Sequence, residues 1–296
     1  MRASLRAYLL VNAATLLWAG NVVLGRALRD AVGPWTLAGL RAAVAAVPFA
    51  LLLAYSGRRD GPARGVGFRE WGMIAAMTLS GVVGFQVLLY TGLRHTTALN
   101  AGVVNATSPL VALVLGRLLG AGPLRPGQMI GALVSLAGVV VVLSGGSWET
   151  LRGLELNPGD LLVLGAVFLW AVYSLLAKWL LVRRSPVWVT ALSTLAALPV
   201  LAAPALWECS VSPPAIHGGL LLGILYIGLG PSFLAFLAWN HGVQRLGVAG
   251  AMAFYNTLPV YAGALGAALL GEWPRAYQLV GAALVLSGCL LAARGR

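Results

Sequence analysis

Long runs of apolar residues, separated by short polar stretches, follow one another along the whole chain. Crossing about 30 Å of hydrocarbon takes about 20 helical residues at a rise of about 1.5 Å each. Runs of about that length are predicted to be membrane-spanning helices at residues 7–25, 34–55, 71–92, 97–120, 127–144, 160–182, 187–206, 217–242, 247–270 and 276–293. The pattern therefore predicts an all-α integral membrane protein with ten transmembrane helices.

Composition and charge agree with this prediction. Hydrophobic residues make up 59% of the chain and charged residues 9%, against about 25% charged in an average soluble domain. The first run follows Arg2 and Arg6 as in a secretory signal, but it continues past residue 20 without a clear cleavage site, which predicts a retained helix. The net charge of +12 does not indicate nucleic-acid binding, because the basic residues are scattered over the loops and do not form one face with stacking aromatics.

The positions of the 20 Lys and Arg residues predict the orientation of the chain. With a cytoplasmic N-terminus, most of them fall in the N-terminal tail, the even-numbered loops and the C-terminal tail. Cytoplasmic loops of membrane proteins carry an excess of Lys and Arg. We therefore expect both termini to be cytoplasmic. The chain is expected to cross a bacterial cytoplasmic (inner) membrane several times, with the lipid bilayer as its surroundings.

The chain contains an internal repeat. Shifts of 152 and then 150 positions align Trp18 with Trp170, Arg26 with Lys178, Pro34 with Pro186, Leu40 with Leu192, Gly92 with Gly242, Thr107 with Thr257, Pro109 with Pro259, Gly116 with Gly266, Gly131 with Gly281 and Gly138 with Gly288. This predicts two five-helix repeats, residues 1–144 and 160–296, joined by an extracytoplasmic loop at 145–159. Because five crossings is an odd number, the second repeat is inverted, as in secondary transporters that bind substrate near the midplane.

Several segments carry a resemblance to a known family. "NATSPLVALVLG" at 105–116 is answered by "YNTLPVYAGALG" at 255–266, and "LGEWP" at 270–274 precedes "VGAALVLSGCLL" at 280–291. With a tryptophan in the first helix of each repeat, the chain resembles the drug/metabolite transporter superfamily of the EamA type, and within it the YddG-type aromatic amino-acid exporters. The resemblance covers nearly the whole chain and implies a solute carrier without a cofactor. Glu272 departs from the repeat, since Gly122 answers it in the first half.

Polar and aromatic side chains inside the spans are the candidate substrate ligands. They occur in helical register, as at Trp18 and Asn21 or at Gln86 and Tyr90, so each pair lies on one helix face. Polar groups in a membrane turn toward a partner helix or a water-filled cavity, because facing lipid is costly. The candidates are Trp18, Asn21, Arg41, Gln86, Tyr90, Asn105, Ser108, Trp170, Tyr173, Asn240, Tyr255 and Asn256.

Each candidate also has a structural interpretation. Asn21 can form an interhelical hydrogen bond, the tryptophans can simply pack, and Tyr90 and Asn240 can belong to an interfacial belt. Arg41, about 10 Å into its helix, either attracts a substrate carboxylate or caps carbonyls of a neighbouring helix. Arg26 and Lys178, nearer helix ends, are expected to extend to the interface. Pro109 and Pro259 are predicted to break their helices, because proline cannot donate to the carbonyl four residues earlier.

The absence of a carboxylate from the middle of every span narrows the function. A central Asp or Glu is the usual device for binding Na⁺, protons or cationic drugs, so we expect facilitated exchange of a neutral, zwitterionic or anionic solute. The sequence contains no HExxH motif, phosphate-binding loop or His/Cys metal cluster, so no motif in it indicates an enzyme or a metal cofactor. The expected function is alternating-access export of amino acids, with aromatic amino acids as the leading substrate. Small aliphatic amino acids of the threonine/homoserine type, or a sugar nucleotide or phosphorylated metabolite, remain alternatives, and oligomeric state is left open.

Overall fold

Helices account for all the regular structure among the described residues of a computed structural model. That model describes residues 2–59, 67–118, 126–153, 156–239, 241–242, 245, 255 and 257–294. Its long helices are α1 (Arg2–Ala27), α2 (Pro34–Arg59), α3 (Phe68–Leu93), α4 (Ala98–Leu118), α5 (Pro126–Leu143), α6 (Pro158–Leu181), α7 (Pro186–Val211), α8 (Gly218–Trp239), α9 (Leu258–Leu270) and α10 (Ala276–Arg294). A short helix, Trp148–Gly153, lies between α5 and α6.

Eight of these helices, α1 to α8, are long and apolar enough to cross a membrane. The two others are shorter apolar helices, Leu258–Leu270 and Ala276–Leu291. Most bounds lie near the predicted ones, but α7 continues to Val211, five residues beyond the predicted end. The predicted ninth span, 247–270, is observed from Leu258 onward, and most of the residues before it lie outside the described part.

Helices α5 and α10, equivalent in the two repeats, pack against each other through glycines. A Cβ atom on Gly138 would lie 2.7 Å from the carbonyl oxygen of Gly281, and one on Gly288 would lie 2.4 Å from that of Gly131. Such backbone contact requires glycine, as at close helix crossings in membranes. Gly138 is in contact with Gly281 and Gly131 with Gly288, so the two helices run antiparallel. Because Gly131 answers Gly281 and Gly138 answers Gly288 in the repeat, the helices are related by an approximate twofold axis.

Other contacts follow the same symmetry. Helix α2 packs along α7, its equivalent in the second repeat, and the contact of α1 with α9 is matched by that of α6 with α4. Each repeat thus buries its first helix against the fourth helix of the other repeat. The first helices carry Trp18 and Trp170, so this exchange brings both tryptophans to the centre of the bundle.

Helices α3 and α8 each contain a π-helical turn near the middle, at Thr78–Gly84 and Gly230–Leu234. The two turns occupy equivalent positions in the repeats. In α8, Pro231 has no backbone N–H to donate, and its carbonyl accepts a hydrogen bond from Trp18 Nε1 at 3.1 Å. Turns of this kind free backbone groups and recur at functional sites.

Helix α4 is interrupted at Ala106 and Thr107, directly before Pro109. The carbonyl of Asn105 loses its helical donor there and instead accepts a hydrogen bond from Ser108 Oγ at 2.6 Å. The predicted break in this helix is confirmed. In the second repeat Pro259 lies in the first turn of α9, where a missing N–H costs nothing.

Candidate substrate site

Arg41 lies at the centre of a buried hydrogen-bond network. Its Nε and Nη2 atoms donate to Ser232 Oγ at 2.9 and 2.6 Å, and its Nη1 donates to Tyr90 Oη at 2.7 Å and Asn21 Oδ1 at 3.3 Å. Nη1 also donates to Gln86 Oε1. Tyr90 in turn donates to Asn21 Oδ1 at 2.7 Å. Helices α1, α2, α3 and α8 therefore meet at one guanidinium group.

This guanidinium is held by hydrogen bonds to neutral groups. Arg41 is only 4% exposed, and all four of its side-chain partners are neutral. Among the described residues, no carboxylate forms an ion pair with it. A cation inside a membrane protein costs about 2.5–3.5 kcal/mol at the helix centre and usually marks a substrate or ion path. The arrangement leaves Arg41 able to bind an anionic group.

One side of the network opens on a cavity with an empty volume of about 400 Å³, called here the aromatic cavity. Its aromatic walls are Trp18, Phe85, Trp170, Phe236 and Tyr255, and its polar walls are Asn21, Arg41, Gln86 and Asn105. Ring centroids lie 6.2 Å apart for Trp18 and Trp170, and 5.8 Å apart for Trp18 and Tyr255. The rings meet mostly edge to face, which is a favourable geometry for aromatic side chains.

A second cavity of about 380 Å³ lies on another side of Arg41 and is called the hydroxyl cavity. It shares Arg41, Gln86 and Phe236 with the aromatic cavity. The side chains that give it its polar character are Tyr173, Thr190, Ser193, Thr194 and Ser232. An anionic group at Arg41 would thus have an aromatic compartment on one side and a hydroxyl-rich compartment on the other.

Asn105 occupies a special position in the wall of the aromatic cavity. It is 2% exposed, and its Nδ2 donates to the carbonyl of Ala101 at 3.0 Å. Its Oδ1 has no hydrogen-bond partner among the residues that the structure describes. Buried polar atoms are nearly always satisfied, so this unpartnered acceptor in a cavity wall is a candidate ligand atom.

One end of the bundle, where α1 ends and α2 begins, is closed by carboxylates of the second repeat and is called the carboxylate end. Arg26 Nε pairs with Glu272 Oε1 at 2.9 Å, with side chains 16% and 19% exposed. Glu272 Oε2 accepts from the backbone N–H of Ala98 at 2.9 Å, at the start of α4. Arg26 also donates to the carbonyl of Leu93 at 3.0 Å. Arg26 is therefore held between the repeats and does not extend to the interface as predicted; the side chain of Lys178 lies outside the described part.

Two further carboxylates repeat this pattern. Glu208 of α7 accepts from the backbone N–H of Thr36 at 2.7 Å and from its hydroxyl at 2.8 Å, which caps the start of α2. Asp160 of α6 accepts from Asn100 Nδ2 at 3.0 Å and from the hydroxyl of Thr96. Each of these bonds joins the second repeat to the first. At the opposite end, Glu70 of α3 pairs with Arg184, beyond the end of α6, at 2.7 Å.

The structure brings most of the predicted site residues together. Those that line the aromatic cavity are Trp18, Asn21, Arg41, Gln86, Asn105, Trp170 and Tyr255, and Tyr173 lines the hydroxyl cavity. Tyr90 is buried against Arg41 and is not part of an interfacial belt. Ser108 lines neither cavity, because its hydroxyl is used on the Asn105 carbonyl at the helix break. Asn240 and Asn256 lie outside the described residues.

Sequence reasoning missed four polar residues of the hydroxyl cavity, Thr190, Ser193, Thr194 and Ser232. Thr190, Ser193 and Thr194 are spaced i, i+3 and i+4 and therefore share one face of α7, a signal that the sequence contains. Ser232 follows Pro231 inside an apolar run, and a proline there indicates a local break. Phe236 answers Gln86 in the repeat and is predicted to share a helix face with Asn240, but it was not included among the candidate ligands. Phe85 gave no separate signal, since an isolated aromatic residue in an apolar span usually packs.

Comparison with known proteins defines the class to which this site belongs. A family model described as the EamA-like transporter family matches residues 5–144 and 157–294. The chain belongs to that family, and so to the drug/metabolite transporters of the EamA type. A solved crystal structure has the same fold, with a TM-score of 0.63, 23% identity and 97% of each chain covered.

Two relatives carry names that specify a solute. The chain is 31% identical over 221 residues, 71% of its length and 75% of the relative's, to the aromatic amino acid exporter YddG of Ancylobacter novellus. It is 29% identical over 272 residues, 90% of its length and 86% of the relative's, to a probable terminal-alkyne amino-acid exporter of Streptantibioticus cattleyicolor. An uncharacterized transporter of Bacillus subtilis, YyaM, is 27% identical over 213 residues, 72% of this chain and 70% of that protein.

Proposed function

We propose that this chain is an alternating-access carrier that exports amino acids across a bacterial cytoplasmic membrane, with aromatic amino acids as the leading substrate. In this proposal ten helices form two inverted halves, residues 1–144 and 160–296, with an extracytoplasmic loop at 145–159. Both termini are cytoplasmic, which places the carboxylate end on the extracytoplasmic side. The substrate binds between the halves, and the halves rock about it.

The observation that carries the proposal is the buried, uncompensated charge of Arg41 in the wall of an aromatic cavity. A substrate carboxylate can take the place of one of the neutral acceptors around Arg41 and form the stronger, charge-assisted hydrogen bonds that this group lacks. The rings of Trp18, Trp170 and Tyr255 offer faces and edges to a flat apolar side chain. A carboxylate next to an aromatic compartment is the chemistry of an aromatic amino acid.

A further point supports the amino-acid assignment. Two relatives are named as an aromatic amino acid exporter and a probable terminal-alkyne amino-acid exporter, and every amino acid presents a carboxylate to an arginine.

The contacts at the carboxylate end support the proposal that the protein works by alternating access. Glu272, Glu208 and Asp160 all bind first-repeat groups, so opening this end requires these bonds to break together. The described walls of both cavities contain no Asp or Glu. We therefore propose exchange without ion coupling, because an intramembrane carboxylate is the usual ion or proton site.

Uptake by proteoliposomes tests the substrate assignment. Purified protein is reconstituted and given radiolabelled Phe, Trp, Thr or a sugar nucleotide without an ion gradient. Saturable entry of Phe and Trp is expected. Entry of Thr alone would move the assignment to small aliphatic amino acids, entry of the sugar nucleotide alone would move it to phosphorylated metabolites, and entry only under a pH gradient would contradict uncoupled exchange.

Substitution of Trp170 tests the position of the site. Trp170→Ala removes an aromatic wall of the cavity, and burying an aromatic ring contributes about 1.5–3 kcal/mol, so the KM for Phe is expected to rise at least about tenfold. Trp179→Ala in the same helix is the matched control, since Trp179 is 66% exposed. Equal Phe uptake in both variants would contradict the cavity assignment.

A further inference from the structure

Among the described residues, the side-chain carbonyl oxygen of Asn105 is a buried acceptor in the wall of the aromatic cavity for which no protein donor is found. The amide is oriented by its own Nδ2, which donates to the carbonyl of Ala101 one turn earlier. Its Oδ1 is left without a partner, in a side chain that is 2% exposed and lines the cavity. A donor from the cavity would satisfy it.

The other side-chain amide oxygens of this wall already accept hydrogen bonds. Asn21 Oδ1 accepts from Tyr90 and Arg41, and Gln86 Oε1 accepts from Arg41. The polar part of the aromatic cavity thus has two unlike halves: a guanidinium, which offers donors only, and Asn105 Oδ1, which is an acceptor only. A ligand that matches both halves carries an anionic acceptor and a separate N–H donor.

We infer that Asn105 Oδ1 accepts a hydrogen bond from the α-ammonium group of a bound amino acid whose carboxylate is held by Arg41. This inference rests on the proposed function and adds the recognition of the amine. An ammonium group has three N–H donors. The aromatic faces of the same cavity stabilise the cation further, because a cation is attracted to the face of an aromatic ring. No carboxylate is needed for the ammonium, and none is found in the described walls.

Selectivity follows from this arrangement. A carboxylic acid that has the same ring but no amine leaves Asn105 Oδ1 unsatisfied while it still binds Arg41. Sites built to hydrogen-bond a group strongly disfavour analogues without it. The carrier would therefore distinguish a zwitterion from a simple carboxylate at the amine, and Asn105 would be the residue that makes this distinction.

The test compares Phe with 3-phenylpropionate, which lacks only the amine. In proteoliposomes, each unlabelled compound competes with labelled Phe, and the two half-inhibitory concentrations are compared. For the unmodified protein we expect 3-phenylpropionate to be weaker by about ten- to a hundredfold, the value of a hydrogen bond to a charged group. In Asn105→Leu the ratio should fall to about one, with 3-phenylpropionate itself little changed.

Two further variants separate recognition from structure. Asn105→Asp retains an acceptor oxygen but loses the amide that donates to Ala101, so it should retain discrimination if the acceptor matters. Ser135→Ala is the matched control, because Ser135 is likewise a buried polar residue, 2% exposed, but lines neither cavity; its ratio should be unchanged. The inference would be overturned, with the proposed function left intact, if Asn105→Leu weakened the binding of Phe and of 3-phenylpropionate equally. The same would follow if the unmodified protein did not discriminate between the two compounds. Absence of any Phe uptake by the unmodified protein would instead refute the proposed function, and this inference with it.

Discussion

Replacing Arg41 by methionine should separate substrate binding from folding. Methionine has a similar length and no charge, so the variant removes the guanidinium from the walls of both cavities. If Arg41 holds the substrate carboxylate, transport should be strongly impaired. If Arg41 only joins the helices, the variant should instead be less stable.

The hydrogen bonds around Arg41 indicate how large the changes in KM and in stability should be. Hydrogen bonds to a charged group contribute about 1.5–3 kcal/mol, so the KM for Phe should rise about ten- to a hundredfold. Stability should change little, because Tyr90 retains its bond to Asn21 at 2.7 Å and Ser232 retains its bond to the carbonyl of Ile227 at 2.7 Å. Removing a cation from the bilayer interior also relieves a cost of about 2.5–3.5 kcal/mol, which offsets the hydrogen bonds that Gln86 and Ser232 lose.

The assay measures both quantities on one preparation. Arg41→Met and the unmodified protein are compared for the KM of Phe uptake into proteoliposomes and for Tm in detergent. Arg41→Lys retains a cation and should lie between them. The control is Arg69→Met, which removes one charge from an exposed position. A normal KM in Arg41→Met would refute the assignment of Arg41 to the substrate, and a large fall in Tm with normal KM would assign it to folding.

Two more predictions concern closure and packing. Glu272→Gln removes the ion pair with Arg26. We expect this to weaken closure of the carboxylate end by about 1 kcal/mol and so to raise the population of the open state about fivefold. The labelling rate of a cysteine introduced at Val22 should rise in proportion, and an unchanged rate would mean that this ion pair does not hold the end closed. Gly138→Val places a Cβ atom 2.7 Å from the carbonyl oxygen of Gly281 and should destabilise the fold by about 1–3 kcal/mol, measured as a lower Tm. Gly72→Ala, with no atom within 4 Å of the added Cβ, should not lower Tm, because alanine favours a helix more than glycine does.

The helices and most of the residues at the centre of the bundle could be predicted from the sequence, because their signals are local or periodic. Apolar runs and the internal repeat are local or strictly periodic signals, so they indicate spans and equivalent positions without coordinates. The proline at 109 likewise predicted the break in α4, since the lost donor acts only four residues away. Polar residues such as Asn21 and Gln86 were recognised because a membrane makes any polar side chain conspicuous.

Contacts between the repeats could not be predicted in this way. The pairing of Arg26 with Glu272 joins residues that are far apart in the chain, and Glu272 has no equivalent in the first repeat. Ser232, which accepts hydrogen bonds from Arg41, lies within the π-helical turn of α8, and a turn of this kind is not evident from the sequence. Ser108 was predicted to be a site residue because the sequence does not show which acceptor its hydroxyl takes; in the structure the hydroxyl donates to the carbonyl of Asn105.

Counterflow is the most direct test of the central claim, which is that an uncoupled alternating-access site carries aromatic amino acids. Proteoliposomes are loaded with unlabelled Phe and diluted into labelled Phe at equal pH and equal salt on both sides. The account predicts that internal Phe accelerates entry of the label severalfold over empty vesicles, and that Trp does the same. Saturable uptake that is indifferent to internal substrate, or acceleration that requires a pH gradient, would contradict it.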